Sequence, residues 1–492
     1  LLFMLVLVLA LTLVLAVFGL VISAVFQQFP TAIFPCLVQI PLAVGIGIWL
    51  HRRGAGLLVP SLIGLGLMYL SVFFGDVGLL HTFNTTMAAL PLWAWTAILL
   101  AYCYVASVLP VWILLQPRDF INSLQLLSIL GLLLVGLLVA AVFGGAPDAS
   151  DLRPTLGFVA PAFQWNPQGA PMIFPFLFIT IACGAISGFH CLVSSGTSSK
   201  QLRSESDAQM VGYGSMLTEG FLATLVILAC AAGLGLGLRL PDGTVLQGTA
   251  AWAHQYENWG QAGSLAATIG AFVTGGGNFL AALGLPPEAA IALMGVFVAS
   301  FAATTMDSAC RLQRYVVQEL AGSFGAQGQE APTPAGNPIV NFLAGSHGAT
   351  LLAVVAAGLL ASIPPASQAW SLEQAGKGGM ILWPIFGALN QLVAGVAFIV
   401  ITFYVRATGK PFWFLIPPML FMLAMPLWAM TVQLFFGTPG VPSWWSAGNV
   451  PLIFIGLVSL ILEVWLIIEA ALLWRKGSLG RIADSLPSAR VS

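Results

Sequence analysis

The stretch LLFMLVLVLALTLVLAVFGLVISAV, residues 1–25, contains no charged residue and no proline, and its reading decides the fold class. About 20 apolar residues cover a bilayer core as a helix, and only helices or closed barrels satisfy their backbone groups there. The rest of the chain agrees with a helical membrane protein. Of its 492 residues, 59% are apolar and 7% charged, against about 25% charged in a soluble globular domain. Such a chain lacks the polar surface to cover itself in water, so membrane lipid is its implied partner. A net charge of −1 offers no basic field to nucleic acid. The cysteines Cys36, Cys103, Cys183, Cys191, Cys230 and Cys310 lie in apolar stretches, at spacings that match neither a zinc site nor a disulfide framework. No metal and no cofactor is expected. Because the sequence opens inside a helix with no charged lead-in, it is expected to be an N-terminally truncated piece of a longer protein.

Eleven further apolar runs lie near 33–50, 56–75, 91–115, 121–144, 171–195, 210–236, 288–310, 340–362, 379–405, 413–436 and 450–474. Positive residues stay on the cytoplasmic side during insertion, so every second loop should be basic. Arg52, Arg53, Arg118, Lys200, Arg203, Arg311, Arg314, Arg406, Lys410, Arg475, Lys476, Arg481 and Arg490 all fall on one side, leaving Arg153, Arg239 and Lys377 outside. The expectation is an all-α polytopic inner-membrane protein of about twelve transmembrane helices, with both chain ends cytoplasmic. Its parts are a core at 1–320, a flexible cytoplasmic linker at 321–337, C-terminal helices at 338–474 and a cytoplasmic tail at 475–492. In the segment 237–287, Gly275, Gly276 and Gly277 argue against a clean span and for an interfacial or re-entrant helix pair.

Ionisable and polar groups inside a hydrocarbon span are costly and default to functional candidates. In PMIFPFLFITIACGAISGFHCLVSSGTSSK (171–200), helical spacing places Ser187, His190 and Ser194 on one stripe and Gly184, Gly188, Cys191 and Ser195 on the next. A helix loosened at those glycines would offer carbonyls, hydroxyls and an imidazole to a solute. Close helix packing through small residues explains the same pattern. Glu219 sits within a span, with Ser215 one turn earlier, and is either a proton-exchanging carboxyl or a permanently protonated structural one. Asp307 has Thr304, Thr305 and Ser308 beside it, an oxygen set that suits a hard cation. An i, i+4 ion pair with Arg311 is the alternative. Pro110 removes a backbone bond within its run and frees the carbonyl of Ala106, with Tyr102, Tyr104 and Ser107 around the break. Asn390 and Gln391 form a weaker candidate of the same kind, open to interhelical amide bonding instead. Glu463 and Glu469 read as interfacial or packing features. The sequence contains no phosphate-binding loop, HExxH, CxxC pair or GxSxG. Energy for uphill movement of a solute would then come from an ion gradient or a separate subunit.

The block FPFLFITIACGAISGFHCLVSSGTSSKQL (174–202) resembles the carbon starvation protein A (CstA) family. YVASVLPVWILLQPRDF (104–120), VGYGSMLTEGF (211–221), TTMDSACRLQRYVVQEL (304–320) and LWPIFGALNQLVAG (382–395) resemble its pattern in the same order. The resemblance covers most of the chain and lacks the family's N-terminal region. It implies a secondary carrier with LeuT-like inverted repeats, of the amino acid, polyamine and organocation superfamily. The implied solute is pyruvate or a short peptide, taken up under carbon starvation with a coupling proton or cation. Pro110, Asp119, Gly184, Ser187, Gly188, His190, Ser195, Gly196, Glu219, Asp307, Arg311, Asn390 and Gln391 fit the family pattern by position. The expected solute-binding set is Tyr104, Pro110, Gly184, Ser187, Gly188, His190, Ser194, Ser195, Asn390 and Gln391. The expected ion-coupling set is Glu219, Thr304, Thr305, Asp307 and Ser308. The alternatives are a nutrient sensor without flux and an intramembrane hydrolase built on His190 with Ser194 or Ser195. No catalytic residue is expected of a carrier.

Overall fold

The computed structural model of the chain describes residues 2–54, 56–147, 152–163, 170, 172–240, 242–258, 265–325, 338–364, 370–377, 382–438 and 442–476. These are all-α apart from a two-residue ladder that pairs Leu238–Arg239 (β1) with Val245–Leu246 (β2). The helices are α1 (Leu2–Gln28), α2 (Ile33–Arg53), α3 (Leu58–Phe74), α4 (Leu79–Ala88), α5 (Leu92–Val108), α6 (Leu115–Phe143), α7 (Phe178–Ala185), α8 (Gly188–Gly196) and α9 (Asp207–Ala231). They continue with α10 (Gly248–Gln255), α11 (Leu265–Ala282), α12 (Pro287–Gly325), α13 (Pro338–Ala344), α14 (Ser346–Ala361), α15 (Leu382–Ala407), α16 (Ile416–Thr431) and α17 (Val450–Lys476).

Among the described residues, nine helices are long and apolar enough to cross a membrane, or eleven if each bent pair is one span. The bent pairs are α3 with α4, at 87°, and α13 with α14, at 88°. The first bend passes through Gly78, whose φ of 59° suits a residue without a Cβ. Each of the twelve apolar runs coincides with one of these helices, one of the pairs, or α5. The linker expected at 321–337 begins as helix, since α12 continues to Gly325. Residues 326–337, and the tail from 477 onward, lie outside the described residues.

Burial is distributed as lipid would require. On α3 the outward face carries Leu58, Val59, Leu62, Ile63, Leu67 and Leu70, while the inward face carries Ser61 and Gly64. A helix in water would present the reverse, because a contiguous apolar face of that length invites association. α1 is the central element. It packs along α12 and also meets α5, α14 and α15. Its few polar groups are paired inside the bundle, as Thr12 shows by accepting from Gln313 Nε2 at 2.6 Å.

The triple glycine does not break its segment. Gly275, Gly276 and Gly277 lie inside one continuous helix, α11, where they permit close approach. A Cβ at Gly275 would overlap the carbonyl oxygen of Ala229 on α9, and one at Gly276 would stand 2.6 Å from Met294 Cε on α12. Gly275→Ala is therefore expected to lower stability by about 1–3 kcal/mol through overpacking. Gly131→Ala, with nothing within 4 Å of its Cβ position, is expected to be neutral or stabilising by up to about 1 kcal/mol. Thermal unfolding of the two variants in one detergent checks the contrast.

Candidate functional site

Helix α7 stops at Ala185 and α8 starts at Gly188, leaving Ile186 and Ser187 in non-helical conformations. The flanking Gly184 and Gly188, with a β-branched residue and a serine between, make this the point of weakest helix propensity in the segment. A break inside a span strands backbone donors and acceptors, which must find partners in the protein. Asn390 of α15 supplies them on both sides. Its Oδ1 accepts the Phe189 N–H at 2.9 Å and the Ser187 hydroxyl at 3.2 Å, while its Nδ2 donates to the Cys183 carbonyl at 3.4 Å. Gly188 lets α8 reach that amide, since a Cβ there would overlap the Asn390 carbonyl oxygen and stand 2.5 Å from Val393 Cβ. The space left between α1, α8 and α15 is only about 10 Å³. The other face of the break is open, and Gly184, His190, Ser194 and Ser195 are exposed there.

On that open face His190 Nε2 lies 3.9 Å from Glu219 Oε1 of α9, both side chains about half exposed. The fold thus brings together two groups 29 positions apart that the sequence nominated separately. The serines of the stripe do not join them. Ser194 donates to the Cys191 carbonyl at 3.0 Å and Ser195 to that of Leu192 at 3.3 Å. No serine–imidazole pair of the kind a hydrolase needs is formed by these residues. Tyr104 points elsewhere and shares a hydrogen bond with His347 of α14 at 2.8 Å.

Asp307 occupies a different setting. It is fully buried on α12 and pairs with Arg118 of α6, which is 2% exposed. Tyr102 donates its hydroxyl to the same carboxylate at 2.9 Å, and the Cys103 thiol approaches at 3.7 Å. The expected i, i+4 pair with Arg311 is absent. Instead Arg311 donates to the carbonyls of Ala106 at 2.8 Å and Leu109 at 2.5 Å, and Arg314 donates to that of Ser107 at 2.5 Å. Those carbonyls belong to the end of α5. Pro110 therefore terminates the helix at Val108 rather than kinking it mid-span, and the residue before it, Leu109, is extended as a pre-proline position should be. The oxygen set read around Asp307 is also arranged otherwise. Thr304 and Thr305 donate into their own helix, to the Phe301 carbonyl at 2.9 and 3.0 Å, and the carboxylate's cation is Arg118.

The family described as "Carbon starvation protein CstA" matches residues 1–429. The chain belongs to the CstA family. It is similar to the peptide transporter CstA of Mycobacterium tuberculosis (strain ATCC 25618 / H37Rv), 32% identical over 464 residues that cover 88% of this chain and 58% of that protein. It also resembles the peptide transporter CstA of Helicobacter pylori (strain J99 / ATCC 700824), 32% identical over 77% of this chain and 56% of that one. The pyruvate/proton symporter BtsT of Escherichia coli (strain K12) is 28% identical over 87% of the chain and 63% of its own length. The chain thus spans less than two thirds of the length of these relatives.

Within this CstA-family chain, sequence reading found the break and both carboxylates but missed their partners. The sequence places Arg118, Arg311 and Arg314 among the cytoplasmic charges and offers Arg311 to Asp307, yet all three are buried, Arg118 against Asp307 and the other two against the end of α5. Their i, i+3 spacing, which sets both on one face of α12, is the available signal for the last two. Gln391 is fully buried with neither end of its amide partnered among the described residues. Glu463, read as a packing feature, is 1% exposed within α17, whereas Glu469 is exposed.

Proposed function

We propose that this chain acts in secondary transport across the bacterial inner membrane, importing pyruvate or short peptides driven by protons. The reading rests on one observation: a helix break bridged by a single amide, with His190 and Glu219 facing each other at its open side. Either solute carries a carboxylate. The N-terminal turn of α8 turns its positive dipole end toward the break, which suits that charge, and His190 stands exposed on the same turn. Glu219 is the coupling carboxyl, because a half-exposed group beside an imidazole can exchange its proton while one locked to a guanidinium cannot. Asp307, with its arginine, braces α12 against α5 and α6. Twelve crossings, both ends cytoplasmic and a LeuT-like inverted repeat complete the reading, with residues 1–320 as core and 338–474 as added helices. In that orientation the cavity of about 990 Å³ beneath the β-hairpin, bounded by Gln28, Arg239, Asn278 and Glu288, faces outward as the vestibule.

The test is uptake of labelled pyruvate and of a dipeptide into proteoliposomes with an imposed pH gradient. Accumulation is expected to vanish when the gradient is collapsed. Glu219→Gln is expected to abolish gradient-driven accumulation, while solute exchange between equal concentrations persists. Normal accumulation by that variant would remove Glu219 from the coupling role.

A further inference from the structure

A second cavity, of about 300 Å³, lies behind the broken helix, between α7, α15 and α16. Its walls include Phe176, Cys183, Trp383, Phe386 and Trp444, and Gln433 is the amide among them. Two independent features set it apart from a packing void. A five-residue π-turn, Val432–Phe436 at the end of α16, contributes to it through Gln433. Such turns are rare and gather at functional sites because they release backbone groups from the helical ladder. Here the carbonyls of Gln433 and Leu434 accept the N–H groups of Trp444 and Trp445 at 2.9 and 3.1 Å, which holds Trp444 in the cavity wall. In addition, Gln433 Oε1 is buried with no donor among the described residues. A buried acceptor left alone is costly, and rotation of the Gln433 amide about its last bond would turn it to a donor held in the cavity that the residue lines.

The geometry points to this cavity as a binding pocket for the bulky apolar side chain of a short peptide, with Gln433 receiving an N–H of that peptide. The volume sits at the lower end of ligand cavities, and the aromatic lining with one placed polar atom has their usual composition. Pyruvate, a small charged oxoacid whose one apolar group is a methyl, is too small to fill it. Cys183 joins the pocket to the break, because it lines the cavity while its carbonyl and its thiol both accept from the Asn390 amide, at 3.4 and 3.3 Å. Gln433 and Trp444 lie beyond residue 429, where the family match ends, so family membership does not assign this pocket. The inference rests on the peptide branch of the transport reading, yet is tested by occupancy alone.

Cys183 is the reporter. The protein in lipid nanodiscs is treated with N-ethylmaleimide, and labelling at Cys183 is followed by peptide mass spectrometry with alanyl-phenylalanine, alanyl-glycine or pyruvate present. Alanyl-phenylalanine is expected to slow labelling several-fold and the other two to leave it unchanged. Gln433→Leu is expected to raise the half-protecting concentration about tenfold, the loss of one hydrogen bond. Equal slowing by both dipeptides, or a Cys183 that is unreactive with no peptide present, overturns the pocket. Uptake of both dipeptides without selective protection overturns the pocket and leaves transport standing. Selective protection without uptake upholds the pocket and removes transport.

Discussion

Asp307→Ala is expected to destabilise the protein by about 3–5 kcal/mol, the usual cost of breaking one side of a buried ion pair. The size follows from what is left behind. Arg118 is 2% exposed and its Nε has no partner among the described residues, so removing the carboxylate strands a whole guanidinium in the helix bundle. Tyr102 loses the acceptor of its hydroxyl at the same time. The pair Arg239–Glu288 is the control, at 3.7 Å with side chains 66% and 72% exposed. There Glu288→Ala is expected to change stability by no more than about 0.5 kcal/mol. Thermal unfolding in detergent measures both. Equal, small effects would show that the buried pair is solvated in some way the packing does not provide for. The double replacement Arg118→Met with Asp307→Leu then separates bracing from coupling. Apolar side chains of similar volume leave no unpaired charge, so most of the lost stability should return. If uptake returns with it, Asp307 is a brace. If stability returns and gradient-driven uptake does not, Asp307 rather than Glu219 handles the ion.

The difference between Asp307 and Glu219 also shows what was legible beforehand. Hydropathy located each apolar run, because the cost of exposing a backbone to lipid leaves helix as the local answer. It located the weak point at Gly184–Gly188 for a similarly local reason, since glycine and serine lower helix propensity wherever they stand. Partner choice is not local. Asp307 and Arg311 are four residues apart and Arg118 is 189 positions away, so a reading along one helix favours the near arginine. The side chains decide otherwise because the end of α5, terminated by Pro110, offers carbonyls that only a long donor can reach, and Arg311 and Arg314 are drawn to them. The glycines of α11 misled for the opposite reason. Their propensity predicts a break, but close contact with Ala229 and Met294 makes small residues the packing solution inside a continuous helix.

Two adjacent amides on α15 give the sharpest contrast, because Asn390→Leu and Gln391→Leu are expected to have opposite signs. Both residues are buried, at 5% and 0% exposure. Asn390 holds the broken helix by both ends of its amide. Leucine there leaves the Phe189 N–H and the Cys183 carbonyl without partners in a span, at about 1–3 kcal/mol for each stranded group. A total loss of about 2–4 kcal/mol is expected, together with faster hydrogen exchange at Phe189 and His190 and at least about tenfold slower uptake. Asn390→Asp should fall between wild type and Asn390→Leu, since it keeps the acceptor for Phe189 and gives up the donor to Cys183. Gln391 makes no such bonds. Replacing an unpartnered buried amide by leucine is expected to stabilise the fold by up to about 2 kcal/mol, the desolvation cost it removes. Uptake by that variant carries the functional information. If it is unchanged, Gln391 is a structural misfit tolerated by the bundle. If it falls while the melting temperature rises, the unpaired amide is kept for the solute, as a stability cost borne at a binding site would require. Unchanged stability and unchanged hydrogen exchange in Asn390→Leu would show that the pairing around Asn390 is not what holds the break, and the proposed path through α7 and α8 would lose its support.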